Sequence, residues 1–134
     1  MSEIKRRTGE RSVRVFDAAG TITKGDVVQF DENGEVVVAA TNKDIVGIAL
    51  EDATSSTTVT VDVVNGYDEY EFPIETGTMA DAEVGEEADL NSADGLTLTE
   101  SNNDVIITGW DKVDTAKCYG IFKYVAFGPG STKA

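Results

Sequence analysis

Histidine is absent from the 134-residue chain and Cys118 is its only cysteine. That removes nucleophilic catalysis driven by a histidine base, histidine-ligated metals, zinc clusters and disulfides within the chain. What remains for chemistry is oxygen, in 25 Asp and Glu side chains. Paired carboxylates can move protons or hold a hard cation, but the acids here fall in turns and on alternating faces with no second feature converging on them. The run Asp31-Glu32-Asn33-Gly34-Glu35 is rich enough in oxygen to be weighed as a calcium loop. It lacks the alternating acids and distal Glu of an EF-hand, and reads as a hairpin turn. The acids Asp81, Glu83, Glu86, Glu87 and Asp89 read as a solvated face. Cys118 has Lys117 as its only flanking cation and reads as a small buried hydrophobe. The residues therefore predict no turnover and no required metal.

Charge adds a second exclusion. Eleven Lys and Arg against 25 Asp and Glu give a net charge of −14, so the body should repel nucleic acid and anionic membranes. The basic residues are unevenly placed: Lys5, Arg6, Arg7, Arg11 and Arg14 crowd the first fourteen positions, and none occurs from Asp44 through Asp111. A basic arm on an acidic body predicts an arm that touches something the body does not. The competing reading of the acidic body is charge that keeps the protein soluble. No apolar run approaches the roughly 20 residues that span a bilayer, so no membrane is expected. Met1 to Arg14 has no apolar stretch of signal-peptide length, which argues against Sec-type export.

The elements that must position these residues are strands. Sixteen Val, eight Ile and fifteen Thr against four Leu favour pleated sheet. Short alternating runs bounded by turn residues predict strands at 13–17, 26–30, 35–40, 45–50, 58–64, 69–74, 87–90, 96–99, 105–110 and 119–127. No segment keeps helical spacing for three turns, so any helix should be a single turn, placed near 111–116. Asn33-Gly34 carries the signature of a type I′ hairpin, in which both central residues need positive φ, and Asp94-Gly95 repeats it. Pro73 predicts an edge position for its strand.

Sliding the chain on itself by sixty positions brings Lys24-Gly25-Asp26 onto Val84-Gly85-Glu86, Phe30 onto Leu90, Val36 onto Leu96, and Asp44-Ile45-Val46 onto Asp104-Val105-Ile106. Chance likeness between alternating strands competes with an internal repeat over 24–64 and 84–124. The fold expected is all-β, a compact β-barrel or β-sandwich built from two repeated β units if the repeat is real. The domain plan is a flexible basic arm over 1–12, one β domain over 13–127 and a flexible tail over 128–134.

The string Thr23-Lys24-Gly25-Asp26-Val27-Val28, then Asp31-Glu32-Asn33-Gly34 with Val36, then Ile45-Val46-Gly47-Ile48-Ala49-Leu50-Glu51-Asp52-Ala53 and Thr58-Val59-Thr60-Val61, resembles the capsid decoration proteins of tailed phages, also called cement proteins. The likeness spans about residues 22 to 64, with a fainter echo from Gly85 to Val125. Where that family usually carries a Gly after the Glu-Asp-Ala segment, this chain has Ser55-Ser56. The resemblance implies a compact β fold, commonly a homotrimer, seated on the outer face of an assembled capsid and partnered by the major capsid protein. It implies a protein made in the host cytoplasm and carried on the virion, with neither catalysis nor cofactor. A surface adhesin module is the competing class.

Within that reading, the arm carries attachment. Arg11-Ser12-Val13-Arg14-Val15-Phe16 alternates, with Val13 and Val15 on one face as in an edge strand, and such a strand can pair with a neighbour's sheet. Arg6, Arg7, Arg11 and Arg14 would pair acidic capsid surface. The competing reading is a frayed terminus ahead of an internal strand, and on the arm reading residues 1–12 should be dispensable for folding. Ile106, Trp110 and Phe127 are the candidates for an oligomer interface, because they exceed what one small core needs.

Overall fold

The computed structural model describes residues 4–39, 45–92, 95–98 and 104–127. The fold is all-β. Eleven strands are present among these residues: β1 (Lys5–Arg6), β2 (Val13–Asp17), β3 (Val27–Phe30), β4 (Val36–Val38), β5 (Ile45–Ala49), β6 (Thr58–Val63), β7 (Tyr70–Thr76), β8 (Glu87–Ser92), β9 (Gly95–Thr97), β10 (Val105–Gly109) and β11 (Lys117–Phe122). A first sheet has the order β2-β6-β5-β3-β4, and a parallel bridge from Ala18 to Val36 joins its two ends. A second has the order β1-β7-β11-β10-β8-β9, and parallel pairing of β7 with β9 closes five of its strands into a ring.

The two sheets share their pairing plan. Strands starting at 27, 36, 45 and 58 in the first are followed by strands starting at 87, 95, 105 and 117 in the second. The β3–β4 hairpin matches β8–β9, β3–β5 matches β8–β10, β5–β6 matches β10–β11, and β2–β6 matches β7–β11, all antiparallel.

Burial explains the sequence of β5, which is buried at all five positions. Val46 and Ala49 enter the first sheet's core with Val28, Val36, Val59 and Val61. Ile45 and Ile48 join a second cluster with Val27, Val64, Tyr70, Phe72, Leu90, Leu96, Val105 and Phe122. A strand covered on both faces reads as a continuous apolar run. Gly47 is required where it stands, because a Cβ there would lie 2.1 Å from the Asp62 carbonyl oxygen across the β5–β6 pair. Cys118 is fully buried, and burial pushes its thiol up to about 12. β7 is not the edge strand that Pro73 predicts, since it lies between β1 and β11; Pro73 sits between the end of the β1 pairing at Glu71 and the start of the β9 pairing at Ile74, where its missing N–H breaks no ladder bond.

Several expectations are corrected. Residues 4–8 are not a flexible arm: Ile4 is 4% exposed in the larger cluster, Lys5 and Arg6 pair with β7, and the Arg7 and Thr8 N–H groups donate to the Glu69 carbonyl. Residues 4–8 therefore take part in the packing of the second sheet. No helix forms at 111–116, because the Asp111 carboxylate accepts the N–H groups of Val113 and Asp114 and offers the backbone a turn instead. The one helical turn among the described residues is a 3₁₀ turn at Asp81–Glu83. The β3–β4 connection is a hairpin but not type I′: among its residues only Gly34 has positive φ, at 79°, and the Asp31 carboxylate accepts from Asn33 and Glu35. The last described strand is β11, six residues from Lys117, rather than 119–127. Ala40, Asp44, Asp94, Thr99 and the tail 128–134 lie outside the described residues.

Ser56 holds a φ of 71°, the left-handed region that favours glycine, at the point where the cement-like pattern carries Gly. Its N–H donates to the Ala18 carbonyl at 3.1 Å, so the turn is fixed by the barrel and not by the residue. Ser56→Gly should stabilise the protein by about 1 kcal/mol, read as a rise of a few degrees in Tm. An unchanged or lower Tm would show that the turn relaxes to suit serine.

Candidate attachment surface

β2 is the strand with the least cover. Val13 and Val15 are 52% and 61% exposed, and the only described partner of β2 over its length is β6. Opposite them on β6 stand Asp62 and Thr60, so both valines lie on the outer face, while Arg14 and Phe16 stand opposite Val61 and Val59 of the core. Val13 and Val15 share a face as the alternation predicts. Arg14 lies over the Phe127 ring at 5.6 Å. Phe127 stacks on Phe16 and meets Phe30 edge-on, closing that side of the first sheet.

The basic residues divide into two groups. Arg6 is bound within the chain: Nε and Nη2 donate to the two Asp62 carboxylate oxygens at 3.2 and 2.9 Å, and Nη1 pairs with Asp68. Burial would lower the Arg6 pKa, but the hydrogen bonds to Asp62 and Asp68 and the charge on Asp62 outweigh it and hold it above its ordinary value. Arg7 pairs with Glu69 and lies over the Tyr119 ring at 3.5 Å. Arg6 and Arg7, expected at a partner's surface, are thus engaged at home. Lys5, Arg11, Arg14 and Lys24 make no ion pair among the described residues, whereas Lys112, Lys117 and Lys123 each have one. Lys5, Arg11 and Lys24 line one cleft of about 310 Å³ beside Asp62. In a chain with more than twice as many acids as bases, cations left without acids form a surface complementary to acidic groups.

The residues expected at an oligomer interface do not come together. Ile106 is half-buried on β10 and Trp110 follows that strand, packed against the larger cluster with its indole donating to Asp81 at 2.9 Å. That hydrogen bond and Lys112 hold the Asp81 carboxyl below its usual range. Phe127 belongs to the aromatic trio at the first sheet, 45% exposed. Among the described residues no three Cys, Asp or Glu side chains are placed to hold a metal ion. No described helix is long and apolar enough to cross a membrane.

Sequence reasoning missed Ile4, Lys5, Lys24, Asp62 and Asp68. The one available signal for Asp62 was its place in the alternation Thr58, Thr60, Asp62 on the outward face of β6, the only acid on that strand.

Residues 6–64 match the family model described as phage cement protein. The match runs from β1 to the residue after β6 and so takes in the whole first sheet, supporting a phage capsid cement family for this chain. The second sheet lies beyond it. That family is structural, and its members are associated with the phage capsid. No curated protein matches the chain.

Arg6→Ala leaves the Asp62 carboxylate, 5% exposed, without its bidentate partner, and should destabilise the fold by about 3 kcal/mol. Arg6→Lys should recover only part of this, because an ammonium cannot fill both oxygens in one plane. Arg11→Ala and Arg14→Ala should each stay within about 0.5 kcal/mol of the parent in urea melts. Equal losses at all three positions would contradict the division drawn above.

Proposed function

We infer that this protein is a structural cement protein that binds the outer surface of an assembled phage capsid and stabilises it against internal pressure. The observation that carries the reading is the exposed side of β2, where Val13 and Val15 stand bare beside the unpaired Arg11 and Arg14, within the segment that matches the cement family. Apolar side chains flanked by free cations suit a partner surface of apolar and acidic groups. The major capsid protein is that partner in this reading.

The mechanism is physical. A ligand that binds only the intact lattice lowers the free energy of that lattice, by about 2.7 kcal/mol per site when the free protein is at 100 times its Kd. A homotrimer would hold three such faces on one body, and linked contacts dissociate far more slowly than single ones. The trimer is the state that the cement resemblance brings with it. Light scattering at micromolar concentration should then report about three times the 14.3 kDa chain mass, and a monomer both free and on the shell would remove the trimer from the account.

The test of the function is co-sedimentation. The protein should pellet with assembled, expanded capsids, leave free capsid subunits in the supernatant, and raise the temperature at which filled capsids release DNA. Arg11→Ala with Arg14→Ala should weaken pelleting, with the loss greatest at low salt, since screening already removes the charge contribution at high salt. Protein that stays in the supernatant at every salt concentration would refute the cement role.

A further inference from the structure

The shared pairing plan places β2 and β7 in equivalent positions, and it does so residue by residue. Phe16 stands opposite Val59 as Phe72 stands opposite Cys118, and the parallel contacts Ala18–Val36 and Ile74–Leu96 close the two sheets at matching points. Val13, Arg14 and Val15 therefore correspond to Glu69, Tyr70 and Glu71. On β7 that stretch is where the chain adds β1: Lys5 opposes Glu71, Arg6 opposes Tyr70, and the Arg7 N–H donates to the Glu69 carbonyl at 2.8 Å.

β2 offers the same backbone with no described strand upon it. The Ser12 carbonyl accepts from the Val63 N–H and the Ala18 N–H donates to the Thr57 carbonyl, both at 2.8 Å, so the even-numbered residues face β6. The alternation of an antiparallel ladder then turns the N–H and C=O groups of Val13 and Val15 to the open edge. Only the side chains differ. β7 presents acid, aromatic, acid and receives basic residues, Arg7 pairing with Glu69 and Arg6 lying 5.0 Å over the Tyr70 ring. β2 presents valine, arginine, valine. A strand like β1 would set its cations against two valines and an arginine there, which is the wrong chemistry.

We propose that the open edge of β2 receives a short extended segment of the capsid subunit, paired antiparallel across Val13–Val15 and reading apolar, acidic, apolar. The proposal rests on the cement function and adds what the partner must look like: two apolar side chains over Val13 and Val15, and a carboxylate against Arg14. The pattern also points away from the strands of a second copy of this chain as the source, because their triplets Val61-Asp62-Val63, Tyr70-Glu71-Phe72 and Ala88-Asp89-Leu90 are already paired within the two sheets. Strand addition of this kind draws affinity from the backbone and specificity from the alternate side chains.

Amide hydrogen exchange on the free protein and on protein bound to assembled capsids tests this directly. The Val13 and Val15 amides should exchange freely in the isolated protein and slow by about tenfold or more on the capsid. Val15→Pro removes an N–H that points to the open edge while keeping the β6 ladder, and should weaken capsid binding about tenfold with little change in Tm. Should proline disturb β2, Val13→Glu with Val15→Glu copies the β7 chemistry on the same backbone and should also lose the capsid. Capsid binding with no slowing at Val13 and Val15 would overturn the strand pairing and leave the cement function standing. Slowing that appears in the free protein as its concentration rises would assign the edge to a second copy. Failure of the parent protein to bind capsids at all would remove the cement function and the capsid segment together.

Discussion

Val27, Ile45, Ile48 and Val64 turn away from the first sheet's own core, and they are buried because Tyr70, Phe72, Leu90, Leu96, Val105 and Phe122 of the second sheet meet them. Most of what is distinctive in this molecule follows from that shared cluster. Neither sheet could present those side chains to water without a large apolar surface, at about 25 cal/mol per Å². Ile4 inserts at the same cluster, and its burial carries β1 to the edge of β7. Arg6 then lies where it can join Asp62 of the first sheet to Asp68 at the entrance to the second. A segment that is mostly charge is thus fixed by one isoleucine and one bidentate ion pair.

The same arrangement decides what is left over. Two equivalent edges exist, and the N-terminal segment covers only one of them. The uncovered edge carries valines instead of glutamates, and the cations next to it have no acid of their own among the described residues. An acidic protein with a compact basic and apolar face is suited to a partner that offers acidic and apolar groups, while its remaining surface discourages nonspecific adhesion. That combination suits the cement role proposed above.

Much of the fold was legible in the chain because alternation and turn chemistry are local properties. Val13–Asp17 coincides with the expected strand, and the strands from Val27 to Val63 differ from expectation only at their ends. The failures are places where a distant group decides. β1 is two charged residues with no period to read, and its pairing depends on Ile4 reaching a cluster built by residues far along the chain. Asn33-Gly34 signals a two-residue turn, yet the Asp31 carboxylate takes two backbone N–H groups and holds a longer loop. The attachment residues were half legible. Residue type singled out Arg6, Arg7, Arg11 and Arg14 alike, but which of them are free depends on Asp62, Asp68 and Glu69, more than fifty positions away in the sequence. Serine at position 56 reads as a departure from a pattern and proves to sit in the conformation that the pattern's glycine would hold.

The central claim is that this protein seats its first sheet on an assembled capsid with β2 toward the shell. Cryo-electron microscopy of expanded capsids incubated with the protein, at a resolution that separates strands, measures this most directly. The account predicts added density on the outer surface, with Val13–Val15 at the contact and the second sheet further from the shell. Capsids that remain bare, or bound protein whose β2 faces solvent, would contradict it.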